Sequence, residues 1–540
     1  MNGVTDLPLL SLLVVLPLAG SAGALLAGLR GSRQGVLWIS GISLAAQTIF
    51  AGWIAAYTGV HGTVREVVGG WSVTTGITVM IGPATALVLL VVLAVALAIH
   101  VYAAGSPPEG MVRTTVFFVV YGIVVSGLAA TILAEDLFNL FVSLEVVSLG
   151  AVVLVAYRRT PRSMIAALRY LVISTVTIAL YLVGLLILYR QTGELGISRV
   201  AQALMATPPA GRAVPIALAL IVTGLTTRVA SVPFHVWLPD AHSEAPHPVS
   251  ALLSGLVLKA AFLALYRVYL AFAPAMTSLV PILMAMGAVS ALLGVILALA
   301  QRSAKRLLAF HSVSQMGLIL VGIGGTGALV HAASHAAFKS LLFLVVGVLA
   351  TRRGTADIYE LRTAPAGKEP GRWEQAFFLI GAGAIAGVPG LSGFVGKGLI
   401  TTSVRSVPFL QLLVQLVSVG SAASFIKLGT AFFPRVVEPA AATTTPPSSN
   451  RLAPLTLAGM AIPGAITILI GVAGGIHAGL FTVAKGGNAL ATLAIGAVLF
   501  RLLVSSPGKS LAGGLSGVRL GLDSSLTAIL LGAVVLAMVV

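Results

Sequence analysis

Apolar runs long enough to cross a membrane recur along this chain from about residue 7 to its last residues. A helix needs about 20 such residues to span a ~30 Å hydrocarbon core. The runs fall near 7–27, 36–57, 80–103, 113–134, 137–157, 165–189, 213–231, 248–272, 277–299, 305–324, 330–350, 375–401, 407–434 and 452–472, with further candidates at 484–503 and 523–540. In lipid, every backbone N–H and C=O must be paired within the protein, which leaves helices or closed barrels. These Ala-, Gly-, Leu- and Val-rich runs lack the alternation of barrel strands. Charged residues make up 9% of the 540, against about 25% in a soluble domain. The reading is an all-α polytopic membrane protein of about 14 to 16 transmembrane helices. Sixty glycines suit close helix packing, because contacts in lipid rely on small residues.

The net charge of +17 does not point to nucleic acid, since the basic residues sit in short loops between spans. Arg30 and Arg33, Arg158, Arg159 and Arg162, Arg302, Lys305 and Arg306, Arg352 and Arg353, and Arg435 all fall on one side when the spans are counted. Retention of such clusters makes that side cytoplasmic and puts the N-terminus outside. Residues 5–27 lack a basic segment before them and read as a first transmembrane helix rather than a leader. The chain has no cysteine, so disulfides, thiolate metal sites and cysteine-ligated clusters are excluded. No cofactor or metal is expected.

Two spans are interrupted. ASVPFHVWLP at 230–239 carries Pro233 and Pro239, and GVPGLSG at 387–393 carries Pro389 between glycines. Proline removes a backbone donor and glycine permits the bend. Unwound backbone at membrane depth is tolerated only inside protein or beside a wet cavity. Counted in order, the breaks lie in helices 7 and 12, five spans apart. An odd spacing predicts two inverted five-helix repeats, as in many transporters. The expected organisation is helices 1–3 in 1–110, a first repeat (helices 4–8) in 111–272, a second, inverted repeat (helices 9–13) in 273–435, a Pro/Thr/Ser-rich linker at 436–451 and C-terminal helices in 452–540. Residues 190–212 and 354–373 read as polar connections. The glycine-rich stretch 473–490 reads as a loop or a re-entrant piece.

Charges inside such spans are costly and mark function by default. DLFNLFVSLEV places Glu145 eight residues into its span, whereas Glu135 and Asp136 sit at a helix mouth suited to capping free amides. Lys259, in LLSGLVLKAAFLAL, is too deep to snorkel, and a buried amine can lose and regain a proton. HAASHAAFKS stacks His331, His335 and Lys339 on one helix face at intervals of four. The two histidines match a zinc spacing, but the third ligand is missing; in line with a lysine they read as a proton wire. Lys397 follows the second break. Arg228 precedes the first break and Arg169 lies one span earlier; both are permanent charges. Within WLPDAHSEAP, Asp240, His242 and Glu244 suit a network tying adjacent helices, or a proton or cation entry. Lys305 and Arg306 read as topology charges.

These same residues carry a resemblance. DLFNLFVSLEV, FHVWLPDAHSEAPHPVSALLSGLVLKAAFLALYR, KRLLAFHSVSQMG, HAASHAAFKSLLFL and GVPGLSGFVGK resemble the antiporter-like subunit family shared by Mrp-type multisubunit sodium/proton antiporters, proton-pumping NADH dehydrogenases and membrane-bound hydrogenases. The likeness runs through about 110–430. It implies that Glu145, position 228, Lys259 and Lys397 translocate protons. It also implies that the chain works only within a hetero-oligomeric complex of further membrane subunits, in the plasma membrane of a prokaryote. DLFNLF, with Asn139, is similar to the Mrp D subunit, which implies exchange of Na+ for H+ by a secondary transporter that is not itself an enzyme. The alternative is a proton-pumping subunit of a redox-coupled complex. Two positions depart from the family pattern: Arg228 stands where it has lysine, and Ser303, in QRSAKR, where related chains commonly carry an acid.

Overall fold

The computed structural model describes residues 9–72, 76–206, 211–274, 276–365, 368–437, 452–504 and 521–539. Helices α1 (Leu9–Leu29) and α2 (Arg33–His61) lead into a hairpin of β1 (Val64–Val67) and β2 (Thr78–Ile81). Then come α3 (Pro83–Gly105), α4 (Met111–Leu133), α5 (Leu137–Val155), α6 (Pro161–Thr192) and the short α7 (Ile197–Ala206). The first interrupted span is α8 (Ala213–Val229) with α9 (Leu238–Glu244). It is followed by α10 (His247–Phe272), α11 (Leu279–Ala300), α12 (Ala304–Val321), α13 (Thr326–Arg353), α14 (Ile358–Leu361) and β3 (Thr363–Pro365). The second is α15 (Arg372–Ala386) with α16 (Ser392–Ser403). After α17 (Pro408–Phe432) and β4 (Arg435–Val437), helices α18 (Pro454–His477), α19 (Val483–Val504) and α20 (Leu522–Val539) complete the fold. Twelve of the described helices are long and apolar enough to cross a membrane by length and composition. The interrupted spans, α12 and α20 are shorter or more polar. The protein is an all-α polytopic membrane protein with discontinuous helices.

The proline and glycine signals act where the sequence puts them. Helix α8 stops at Ala230, which adopts φ 58°, and turns carry the chain to Leu238. Helix α15 stops at Gly387, φ 90°, and Gly390, φ 85°, completes the turn into α16. Residues 190–212, read from sequence as a connection, include the ten-residue α7. Its polar and apolar residues alternate with a helical period, a signal masked by the short length. Residues 473–490 contain no re-entrant piece, since α18 continues to His477 and α19 begins at Val483. Of the expected linker, residues 438–451 lie outside the described residues.

Helices α10 and α13 are buried on nearly every side. Glycine lets them touch. A Cβ on Gly255 would collide with the Ser340 hydroxyl and lie 3.2 Å from the Ala336 carbonyl oxygen. The other helices wrap this pair.

The basic loops gather at one end. There the Arg33 guanidinium donates to the carbonyls of Pro107 and Pro108, and the Tyr157 hydroxyl donates to the Arg113 carbonyl. Ser303 bridges to Asp357, which pairs with Arg302 at 3.2 Å. At the opposite end, Asp136 accepts hydrogen bonds from the amides of Phe138 and Asn139 at 2.8 Å, capping α5. Asp136→Ala is expected to lower stability by about 1 kcal/mol, read as faster heat inactivation of the assembled protein with proton movement at low temperature retained. Glu135 does not cap its own helix. It accepts from the Ser198 amide and hydroxyl, anchoring the start of α7.

Candidate functional site: a row of buried amines and imidazoles

Helix interruptions decide where the cations sit. A helix end leaves carbonyls without intrahelical partners, and the aligned peptide dipoles favour positive charge there. The Lys397 ammonium nitrogen lies 2.6 Å from the carbonyl of Ile385, in the last turn of α15. Arg228 occupies the last turn of α8. Lys259 uses a milder interruption: residues Leu253–Val257 of α10 form a π-helical turn, a feature frequent at functional sites. The Lys259 Nζ donates to the Ser254 carbonyl at 2.5 Å.

Arg228, Lys259, His331, His335, Lys339 and Lys397 are buried, and Glu145 is half-buried. Glu145 and Arg228 form an ion pair of 2.7 Å, the arginine side chain 4% exposed and the glutamate 24%. Stacked on each other beside this pair are Tyr170 and Trp237, ring centroids 4.2 Å apart. The Trp237 indole N–H donates to the Thr227 carbonyl at 2.9 Å, tying the unwound segment to α8. Lys259 is fully buried and hydrogen-bonds the Nδ1 of His335. One turn along α13, the fully buried Lys339 donates to the Leu308 carbonyl. One turn the other way, His331 Nε2 meets the Gln315 side-chain oxygen at 3.0 Å. Helix α16 presses against this face: a Cβ on Gly396 would lie 2.8 Å from the His331 Cα.

Three groups join that the sequence reading left out of the site. His242 on α9 is fully buried, packed flat on Phe343, and feels the charges of Lys259, Lys305 and Lys339. His311 on α12 is fully buried and feels Lys339 and Lys397. Gln315 stands four residues further along the same helix. The signal was present, since His311 and Gln315 repeat the interval of His331 and His335. Lys305 is no loop charge. It is 3% exposed and donates to the carbonyls of Ser243 and Ala245 at the end of α9. Arg306 is also more than a topology charge, for it shares Asp240 with Arg169, at 2.6 and 2.7 Å, pinning α9 to α6 and α12. Lys427, passed over in the sequence, rests on the carbonyls of Leu299 and Gln301 at the end of α11.

The structure therefore brings Lys259, His331, His335, Lys339 and Lys397 into one electrostatically coupled set with His242, His311 and Lys305. Glu145 and Arg228 form a separate pair. Among the described residues, no carboxylate lies within ion-pair distance of Lys259, Lys339 or Lys397. Among the described residues, buried ring nitrogens of His242, His311, His331 and His335 have no partner, and neither do Arg228 Nε and Nη1 or the Gln315 amide nitrogen. Buried polar atoms are nearly always hydrogen-bonded, so such a row marks where internal water belongs. Like charges in this space repel, so a charge on one group disfavours a charge on its neighbour.

Comparison with known proteins bears on the family and the fold. A family model described as NADH:quinone oxidoreductase/Mrp antiporter, TM, matches residues 134–424, more than half of the chain. The chain belongs to this family. Antiporter-like chains of this kind are ion-conducting membrane modules, not the catalytic parts of their assemblies. The NADH-quinone oxidoreductase subunit N of Desulforudis audaxviator is 35% identical over 348 residues, covering 62% of this chain and 68% of the relative. A chain of the archaeal membrane-bound sulfane sulfur reductase, a respiratory membrane complex, superposes with a TM-score of 0.76 at 25% identity, covering 90% of this chain and 99% of that one. A chain of the Mrp complex from Dietzia sp. DQ12-45-1b gives the same TM-score at 22% identity, covering 94% and 99%. The antiporter-like resemblance is thereby confirmed at family level. The narrower likeness to the Mrp D subunit is not, because curated relatives carry mostly the name NADH-quinone oxidoreductase subunit N.

Proposed function

We propose that this chain is a proton-translocating membrane subunit of a redox-coupled respiratory complex. The observation that carries the reading is the coupled row of Lys259, His335, Lys339, His331 and Lys397, buried with no carboxylate among the described residues within ion-pair distance of its lysines. Lysine and imidazole can each take up and release a proton, and internal water joins them. In this scheme Lys259 and His335 exchange protons at the centre, Lys339 and His331 extend the relay along α13, and Lys397 serves the second interrupted span. Glu145 switches protonation beside Arg228, whose fixed charge sets the balance of the pair. The redox assignment rests on the relatives, an NADH-quinone oxidoreductase subunit and a sulfane sulfur reductase complex.

The two interruptions support a division into inverted repeats at 111–272 and 273–435, with each break in the fourth helix of its repeat. The basic loops at one end support a cytoplasmic assignment for that end, with the N-terminus outside. A second reading, the Mrp D subunit of a multisubunit Na+/H+ antiporter in the plasma membrane of a prokaryote, draws on the DLFNLF motif and on the fold shared with the Dietzia Mrp complex.

Purification of the intact complex tests the two together. Redox subunits should co-purify, and vesicles should acidify on addition of a reduced electron donor without Na+. Small membrane subunits alone, with H+ movement driven by a Na+ gradient, would overturn the redox reading in favour of antiport.

A further inference from the structure

The turn between α5 and α6 holds an arginine in a backbone conformation that glycine and asparagine adopt far more readily. Arg159 has φ 57°, in the left-handed region that is costly for a long side chain. Its amide donates to the Ala156 carbonyl at 2.8 Å and closes the turn. Two consecutive arginines thereby reach different spaces. Arg158 lines a cavity of about 280 Å³ and Arg159 an adjoining one of about 440 Å³, and both cavities share Arg113 and Tyr157. The tyrosine fixes Arg113. Its hydroxyl donates to the Arg113 carbonyl at 2.7 Å, and the Arg113 guanidinium lies 5.3 Å from its ring centre. The ring feels the charges of Arg113 and Arg159 together. Among the described residues, neither these arginines nor Arg158 forms an ion pair. Glu109 lines the smaller cavity, and no acid lines the larger.

Beyond the guanidiniums the larger cavity is apolar. Val112 and Val116 line it from α4, Val153 from α5 and Met164 from α6, all of them exposed. Val116 and Val153 stand three and four residues deeper than Arg113 and Tyr157, about 5 to 6 Å at ~1.5 Å per residue. The stripe continues inward through the exposed Leu149. Gly150 closes its floor, because a Cβ there would collide with Val124 of α4. The volume falls within the ~300–1,000 Å³ of sites that hold small ligands. Retention of positive charge on one side of the membrane accounts for arginines in this loop. It does not account for a left-handed residue that holds one of them over an apolar groove.

We propose that the groove between α4 and the α5–α6 turn binds one anionic phospholipid, with its phosphate between Arg113 and Arg159 and an acyl chain along Val116, Val153 and Leu149. Guanidinium groups match phosphate oxygens with parallel N–H donors. Basic pockets between helices at the polar boundary of a bilayer take such headgroups. The apolar stripe that runs on toward membrane depth selects a lipid over a free phosphate. Arg113 and its α4 neighbours lie outside the family-matched segment 134–424, and the site is independent of what drives the protons.

Photo-cross-linking in the intact complex tests this. The complex is reconstituted with phosphatidylglycerol or with phosphatidylcholine, each carrying a diazirine on one acyl chain, and cross-linked peptides of this chain are quantified by mass. Phosphatidylglycerol should label residues 112–116 and 149–156 at least about fivefold more than phosphatidylcholine, the change that one guanidinium near an anionic headgroup supplies. The exposed Leu469 of α18 should be labelled equally by both lipids. Arg159→Asn removes the charge with a residue that tolerates the left-handed backbone, and Arg113→Gln removes the other; each should cut groove labelling by phosphatidylglycerol about fivefold. Arg190→Gln, at the far end of α6, should leave it unchanged. The Arg159 side chain is exposed, so Arg159→Asn keeps the test open should Arg113→Gln loosen Tyr157. Equal labelling by the two lipids, or labelling indifferent to both substitutions, would overturn the site. A groove that cross-links to another subunit and to neither lipid would overturn it too, in favour of a protein contact.

Discussion

Lys259→Ala should slow proton movement through the assembled complex by at least about a hundredfold, the lower end of the ~10²–10⁴-fold range lost when a positioned proton-transfer group is removed. The side chain is fully buried, and its nitrogen spans the Ser254 carbonyl and His335. It is the described group through which α10 meets the histidine–lysine face of α13. Removing it opens the relay at its centre and leaves His335 Nδ1 without its donor. Lys259→Met, of similar length, separates this from a packing effect, and it should be equally slow with subunit composition unchanged. Lys259→Arg sharpens the point, because a guanidinium keeps the charge but does not release its proton, so it should be slow too. Proton flux in vesicles, at matched subunit content, is the measurement. Normal flux in a correctly assembled Lys259→Ala complex would remove this lysine from the path.

Glu145→Gln should both stop proton movement and destabilise the subunit. Arg228 is buried, its Nε and Nη1 have no partner among the described residues, and Glu145 is its ion-pair partner at 2.7 Å. Breaking a buried pair from one side costs roughly 3–5 kcal/mol because a charge is left uncompensated. The glutamate is partly exposed and glutamine still offers an oxygen, so the lower end applies. A fall in the midpoint of thermal denaturation, alongside lost flux, is expected. Arg228→Lys keeps the charge and restores a group able to lose a proton. It should retain assembly and equal or exceed the parent rate. Inactivity in the assembled Arg228→Lys complex would show that the guanidinium itself is required, and that Glu145 is held rather than switched.

Much of this molecule is legible without coordinates, for a physical reason. In lipid, an apolar run of sufficient length has few alternatives to a helix, so span positions follow from composition. Proline and glycine act on the backbone locally, which is why both interruptions stand where the sequence sets them, at Ala230 and Gly387. An ionisable residue within such a run declares itself by its cost, and Glu145, Lys259, Lys339 and Lys397 were visible on that ground alone.

Partnership was not visible. Nothing in KRLLAFHSVSQMG shows that Lys305 turns inward onto α9 while His311 faces Lys339 and Lys397. Nothing in the C-terminal run shows that Asn488 and Thr492 share a cavity with a lysine about ninety residues earlier. The sequence determined that this chain is a membrane-spanning bundle with broken helices and buried protonatable groups, because those properties depend on each segment's own exchange with lipid. Which groups meet was decided by tertiary structure. Side-chain pairing depends on how far each helix turns and slides against its neighbours, and glycines such as Gly255 and Gly396 set those approaches across hundreds of ångströms of intervening chain.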